Sequence, residues 1–110
     1  MGENEKGRFV VSSGRLTAVS DLRREYLDDF CAAARRLLEE PGPELVLDLS
    51  RVHFIFSTFV GVVSNLAQDC HNLGKRLVVR VPERLAWVFR IDRAFTLFMR
   101  LETVTEEGES

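Results

Sequence analysis

The stretch from Leu45 to Val63, LVLDLSRVHFIFSTFVGVV, decides the fold. Leu45, Val46, Leu47 and Leu49 make a nearly continuous apolar run of strand length, the pattern of a central strand covered on both faces. A second apolar burst runs from Val52 to Phe56, and at Ser57-Thr58 the chain turns into a helix predicted to reach about Leu73. Gly74 then closes that helix in the C-cap role. Stepping about 100° per residue places Phe59, Val62, Val63, Leu66, Ala67, Cys70 and Leu73 on one side, with Val60 at its margin. Ser57, Gly61, Ser64 and Gln68 fall on the other side. Hydroxyls at such a strand-to-helix turn can do chemistry, accept a phosphate or cap the helix.

Outward from this stretch the alternation continues. Arg8 to Ser13 reads as a short strand that Gly14 breaks, and Ser20 has the character of an N-cap with Asp21 in the first turn. Leu22, Tyr26, Phe30, Ala33 or Ala34, and Leu37 recur at helical spacing, which predicts an amphipathic helix from Asp21 to Glu40, ended by Pro41-Gly42-Pro43. On the other flank, Leu77, Val78 and Val79 mark a covered strand within Lys75 to Val81. Pro82 opens a third helix through about Ile91, with Leu85, Val88 and Phe89 inward. Phe95 to Leu101 reads as a last short strand or extended segment and Thr103 to Ser110 as a polar tail. Strands alternating with helices argue for an α/β fold with a mostly parallel sheet and right-handed crossovers. In such sheets functional loops gather at the carboxyl ends of the strands, where Ser57 lies.

Composition is that of one globular domain: 110 residues, 45% hydrophobic and 29% charged, with a formal net charge of −2 that gives no general pull towards nucleic acid. The expected core spans about residues 8–101. No window approaches the roughly 20 apolar residues needed to cross a bilayer, and the opening MGENEKGRF lacks the apolar centre of a secretory signal. Cys31 and Cys70 do not suggest a disulfide framework, so a cytoplasmic protein with reduced thiols is expected. From Lys75 to Arg100 the chain carries seven cationic residues, among them Arg80, Arg84 and Arg100, against Glu83 and Asp92. Solvated faces with buried stems account for them; RNA or nucleotide binding would also want interleaved exposed aromatics, so nucleic acid is not an expected partner. Trp87 lies off the inward stripe of its helix, as either an exposed contact anchor or part of a broad buried face.

The candidate sites narrow quickly. His53 and His71 are the only histidines, neither is spaced to serve Ser57 as a base, and the turn lacks the flanking glycines of a nucleophile elbow. No CxxC, HxH or HExxH spacing offers a metal site, and no glycine-rich phosphate loop occurs. What remains is Ser57-Thr58 at a helix start. A capping hydroxyl there is worth roughly 1 kcal/mol. A phosphate would add about −1.5 to −2 charges at an end of the helix that favours them, and would fall on a docked partner rather than on the fold.

Four segments in order resemble the STAS domain, the family of bacterial anti-sigma-factor antagonists and of the cytoplasmic domains of sulfate transporters. They are Phe9 to Arg23 (FVVSSGRLTAVSDLR), Leu45 to Val60 with its VLDLS strand and following signature, Gly74 to Val81 (GKRLVVRV), and Val88 to Phe98 (VFRIDRAFTLF). The resemblance implies a mixed, mostly parallel sheet of four to five strands with helices packed against it. It further implies a non-enzymatic module without cofactor or metal that binds a kinase-type anti-sigma factor, is phosphorylated on the signature serine and is restored by a phosphatase. The matching position is Ser57, with Thr58 beside it, and the implied docking face comprises Phe56, Ser57, Thr58, Gly61 and Ser64. Phe56 stands where the family carries an acid, Phe59 where it carries a glycine, Thr17 where an Asp is usual and Arg93 where a Gly is frequent. A scaffold that docks without being phosphorylated is the alternative, and a nucleotide- or RNA-binding module a further one.

Overall fold

The computed structural model describes residues 8–90 and 97–105. Its elements follow in the order β1 (Phe9–Ser12), β2 (Arg15–Ala18), α1 (Leu27–Leu38), β3 (Glu44–Asp48), α2 (Thr58–Asn72), β4 (Arg76–Pro82), α3 (Glu83–Arg90) and β5 (Met99–Val104), with a short 3₁₀ turn at Arg24–Tyr26 before α1. The strands form one five-stranded sheet in sequence order. β1 and β2 pair antiparallel, and every later neighbour is parallel. This is the mixed, mostly parallel α/β sheet that the alternation predicts.

The first hairpin is the element that the sequence pattern hides. Ser12 pairs with Arg15, leaving a two-residue loop of Ser13 and Gly14. Both have positive φ, 54° and 75°, the backbone of a type I′ turn whose twist suits adjoining strands. Arg15 to Ala18 is therefore a second strand, not a linker to a helix. α1 also starts later than its periodicity predicts. Leu22, although spaced i, i+4 to Tyr26, lies in an isolated parallel bridge with Ile55. Ser20 donates its hydroxyl to the Asp21 carbonyl at 3.2 Å and caps no helix. α2 ends as expected: Gly74 (φ 76°) sits at C′, its N–H donates to the His71 carbonyl at 2.9 Å, and the Lys75 N–H donates to the Cys70 carbonyl at 2.8 Å. These are the paired bonds of a Schellman motif.

Strands laid down in sequence order with right-handed crossovers must place α1, α2 and α3 on the same face of the sheet. Alternate residues of each strand bear this out. Phe9, Leu16, Ala18, Leu45, Leu47, Leu77, Val79, Val81 and Met99 point into the helices and are buried. Phe30 of α1 ties the layers together through edge-to-face contacts with Phe9 (5.4 Å between centroids) and Phe59 (5.2 Å). Each such ring contributes roughly 1.5–3 kcal/mol by burial, plus about 0.5–1.5 kcal/mol from the pair geometry. Cys70 also lies in this core, where burial first and the Asp69 charge second push its thiol up to about 11. Leu73, expected inward, is instead 56% exposed past the end of α2.

β3 is consequently not covered by helices on both faces. Its other side carries a ladder of ion pairs. Asp48 Oδ2 meets Arg15 Nη1 at 2.7 Å and Arg80 Nη1 at 3.4 Å. Arg80 Nε continues to Glu102 at 3.5 Å, Glu102 to Arg100 at 3.1 Å, and Arg100 to Glu44 at 3.4 Å. The register sets Val46 beside Val78, two residues behind the neighbouring pair of Asp48 and Arg80. Val78 on this face is only 2% exposed. Burial is the largest influence on Asp48 and works against its charge. The Ser50 hydroxyl and N–H, followed by the charges of Arg80 and Arg15, outweigh it and hold the carboxyl below its ordinary value of 3.8.

Two outcomes follow for stability. Phe30→Ala, measured by urea unfolding, should cost about 3–5 kcal/mol, because the cavity opens between β1, α1 and α2. Asp48→Asn should cost about 1–3 kcal/mol at neutral pH, because it removes charge-assisted bonds from a nearly buried group. A carboxyl with a depressed folded pKa stabilises fully above its unfolded pKa and loses that contribution as pH falls through the folded value. The stability gap between the native chain and Asp48→Asn should therefore shrink on acidification below the ordinary carboxyl value of 3.8. A gap that stays constant to low pH would refute this account of Asp48.

Candidate functional site

The loop from β3 to α2 emerges at the carboxyl ends of the parallel strands, and backbone bonds to the segment before α1 fix its course. The His53 N–H donates to Asp21 Oδ1 at 2.7 Å. The Leu22 N–H donates to the Phe54 carbonyl at 2.9 Å, and the Phe56 N–H donates back to the Leu22 carbonyl at 2.8 Å. Leu22 and Val52 anchor the two segments as fully buried side chains. From the other side, Arg84 at the start of α3 donates to the carbonyls of His53 (3.2 Å) and Val52 (3.4 Å) and reaches His53 Nδ1 at 2.7 Å. A guanidinium only donates, so Nδ1 must accept and the neutral imidazole carries its proton on Nε2.

This clamp delivers Ser57 to the surface. Its backbone is already helical (φ −54°, ψ −31°), whereas an N-cap residue is normally extended, and its side chain makes no capping hydrogen bond. The plain structural role that the sequence allows, a capping hydroxyl, is therefore absent. Ser57 and Thr58 are both exposed at the first turn of α2, a turn with no acidic residue. The positive end of the helix dipole thus has no carboxylate of its own helix to meet. One turn on, Gly61 is exposed, and an added Cβ would find nothing within 4 Å. Ser64 is half-buried on the same side.

The aromatic neighbours divide differently from the expectation. Phe59 is fully buried, as its helix angle predicts. Phe56, a predicted contact residue, is half-buried and packs against the core. The exposed ring is Phe54, at 48%, with the Arg23 guanidinium 5.9 Å from its centroid. The apolar burst of Val52 to Phe56 conceals this, because it mixes an inward Val52 with an outward Phe54. Strand-like alternation in the loop, paired to Leu22, was the available signal. Trp87 is exposed at 61%, so of its two readings the contact-anchor geometry is the one present.

The remaining sequence candidates disperse. Among the described residues no three His, Cys, Asp or Glu side chains come together as a metal site. His71 lies at the far end of α2 against Phe98, with ring centroids 4.8 Å apart. Arg80 and Arg100 belong to the ion ladder and Arg84 to the loop clamp, so these members of the arginine-rich segment do not form one unopposed patch. Arg93 lies outside the described residues. No helix among the described residues is long and apolar enough to cross a membrane.

A family model described as "Mlab, STAS domain" matches residues 7–98. No curated protein matches the chain.

Because Ser57 makes no cap bond, Ser57→Ala should change the unfolding free energy by less than about 0.5 kcal/mol, where a capping serine would cost about 1 kcal/mol. Asp21→Ala, by contrast, removes the acceptor of the His53 N–H. It should speed amide exchange across residues 53–56 while leaving the β4 amides protected.

Proposed function

The chain belongs to the STAS domain family, and from that premise we propose that it is a non-enzymatic regulatory module of the cytoplasm that binds a protein partner through the surface around Ser57. The partner is a kinase-type anti-sigma factor, and phosphorylation of Ser57, with Thr58 as the neighbouring acceptor, switches the binding off. A phosphatase restores it. The observation that carries the proposal is the Ser57 hydroxyl itself: exposed, uncommitted to a cap, and held at a helix start by a clamped loop. A phosphate at that end gains roughly 0.3–1 kcal/mol from the dipole, so the fold would accept it. The same charge and bulk would meet the partner directly.

The surface suits docking in other respects. Phe54 supplies an exposed aromatic anchor and Arg23 a charge beside it. Gly61 leaves room for a partner's backbone or side chain to come close to α2. These features also serve a second reading in which the domain docks but is never phosphorylated. Phe56 favours it, since a ring stands directly before Ser57 where the family signature carries an acid.

Incubation with the kinase and ATP, followed by intact mass, should show one added phosphate that Ser57→Ala abolishes. In binding measurements Ser57→Ala should match the native chain, and Ser57→Asp should bind at least about tenfold more weakly, a loss of about 1.4 kcal/mol. Equal binding by both variants, with no phosphate gained, would leave the docking scaffold as the function.

A further inference from the structure

Beside the Ser57 surface lies a second feature that neither docking nor phosphorylation uses. An open cleft of about 540 Å³ sits at the carboxyl ends of β3, β4 and β5, lined by Ser50, Arg51, His53, Arg80, Val104 and Thr105. Its volume falls in the range of small-ligand sites, roughly 300–1,000 Å³. Among the described residues its lining holds two arginines, an imidazole and two hydroxyl-bearing residues, and no acid.

We propose that this cleft binds a small multivalent oxyanion, with phosphate or carboxylate oxygens as the recognised group. Arg80 is held in place by Asp48 and Glu102, and its charge is offset by them. Arg51 is different: it is exposed, and among the described residues it has no acid partner. His53 adds a donor of fixed identity, because Arg84 occupies Nδ1 and leaves the proton on Nε2. The Thr105 residue at the rim is also exposed. A cationic fork, a neutral N–H and a hydroxyl around one concavity match an oxyanion with several acceptor oxygens, and charge-assisted bonds to it are the stronger kind. The loop that carries Arg51 and His53 also carries Phe54 and leads into Ser57, so an occupied cleft would brace the docking surface from behind.

The test is titration of the full chain with pyrophosphate and, separately, citrate at low ionic strength, followed by amide chemical shifts. Saturable shifts at Ser50, Arg51, His53 and Thr105 with either probe support the site, and the stronger probe identifies the oxyanion. Arg51→Glu should weaken binding at least about tenfold, as expected for loss of a charge-assisted bond. Arg35→Glu, the same charge change on exposed α1, should leave it within about twofold. Neither arginine holds the fold together, and matching unfolding midpoints would verify that for both variants. Absence of saturation by about 10 mM of both probes would overturn the proposal. So would an equal loss with Arg35→Glu, which would reduce the effect to the general field of the protein.

Discussion

The whole architecture depends on one constraint: a strand order that never reverses. With β2 to β5 laid side by side in sequence, right-handed crossovers leave the helices no choice of face. A sheet covered on one side alone must make its other side tolerable to water. In a parallel sheet this is uncommon, and here the solution is electrostatic. Opposite charges placed on neighbouring strands by the register form the ladder from Arg15 to Glu44, on the face that also carries Val46 and Val78. Surface ion pairs contribute little individually, typically about 0–1 kcal/mol. Asp48 stands apart because it is nearly buried, shared by two arginines and bonded to Ser50.

The same constraint organises the functional end. Because all the parallel strands point one way, the loops after β3 and β4 and the end of β5 converge on a single edge. The sheet has no order reversal, and hence no crevice of the switch-point kind that doubly wound folds use for cofactors. What the edge offers instead is the exposed Ser57 and Phe54 and, next to them, the open cleft that Arg51 and Arg80 line.

Much of this was legible in the sequence, and the failures have physical causes. α2, β4 and the Gly74 cap stood out because local preference and tertiary packing agree there. Phe59 and Cys70 were placed inward correctly by helical angle alone. β2 is hidden in the sequence because Ser13-Gly14 is a weaker hairpin signal than Asn-Gly, and Gly14 reads equally well as a plain break. α1 is shorter than its periodicity predicts because Leu22 keeps helical spacing, while its backbone is taken by Phe54 and Phe56 from 32 or more residues away. The continuous apolar run of β3 suggested two covered faces, since nothing in a local window distinguishes a valine under a helix from one on the face of the ion ladder. Pattern and resemblance single out Ser57 as a candidate, whereas Phe54, Asp21 and Arg84 take their places through long-range contacts that no spacing rule encodes.

The clamp bears on what kind of switch this surface can be. Ser57 follows a loop tied to Leu22 by two backbone bonds, to Asp21 by a side-chain acceptor and to Arg84 from α3. A loop fixed from two sides is already ordered before a partner arrives, so binding forfeits little conformational entropy there. It also leaves little freedom for a modification to rearrange the backbone. A charge added to Ser57 therefore acts where it sits, through repulsion and bulk at the contact, and not by propagating a change of shape. Phosphoryl switches that order or melt a segment need a mobile element to act upon. On the proposed function, a charge at Ser57 would weigh mainly on the interface, so stability and affinity would be largely separable quantities at this residue.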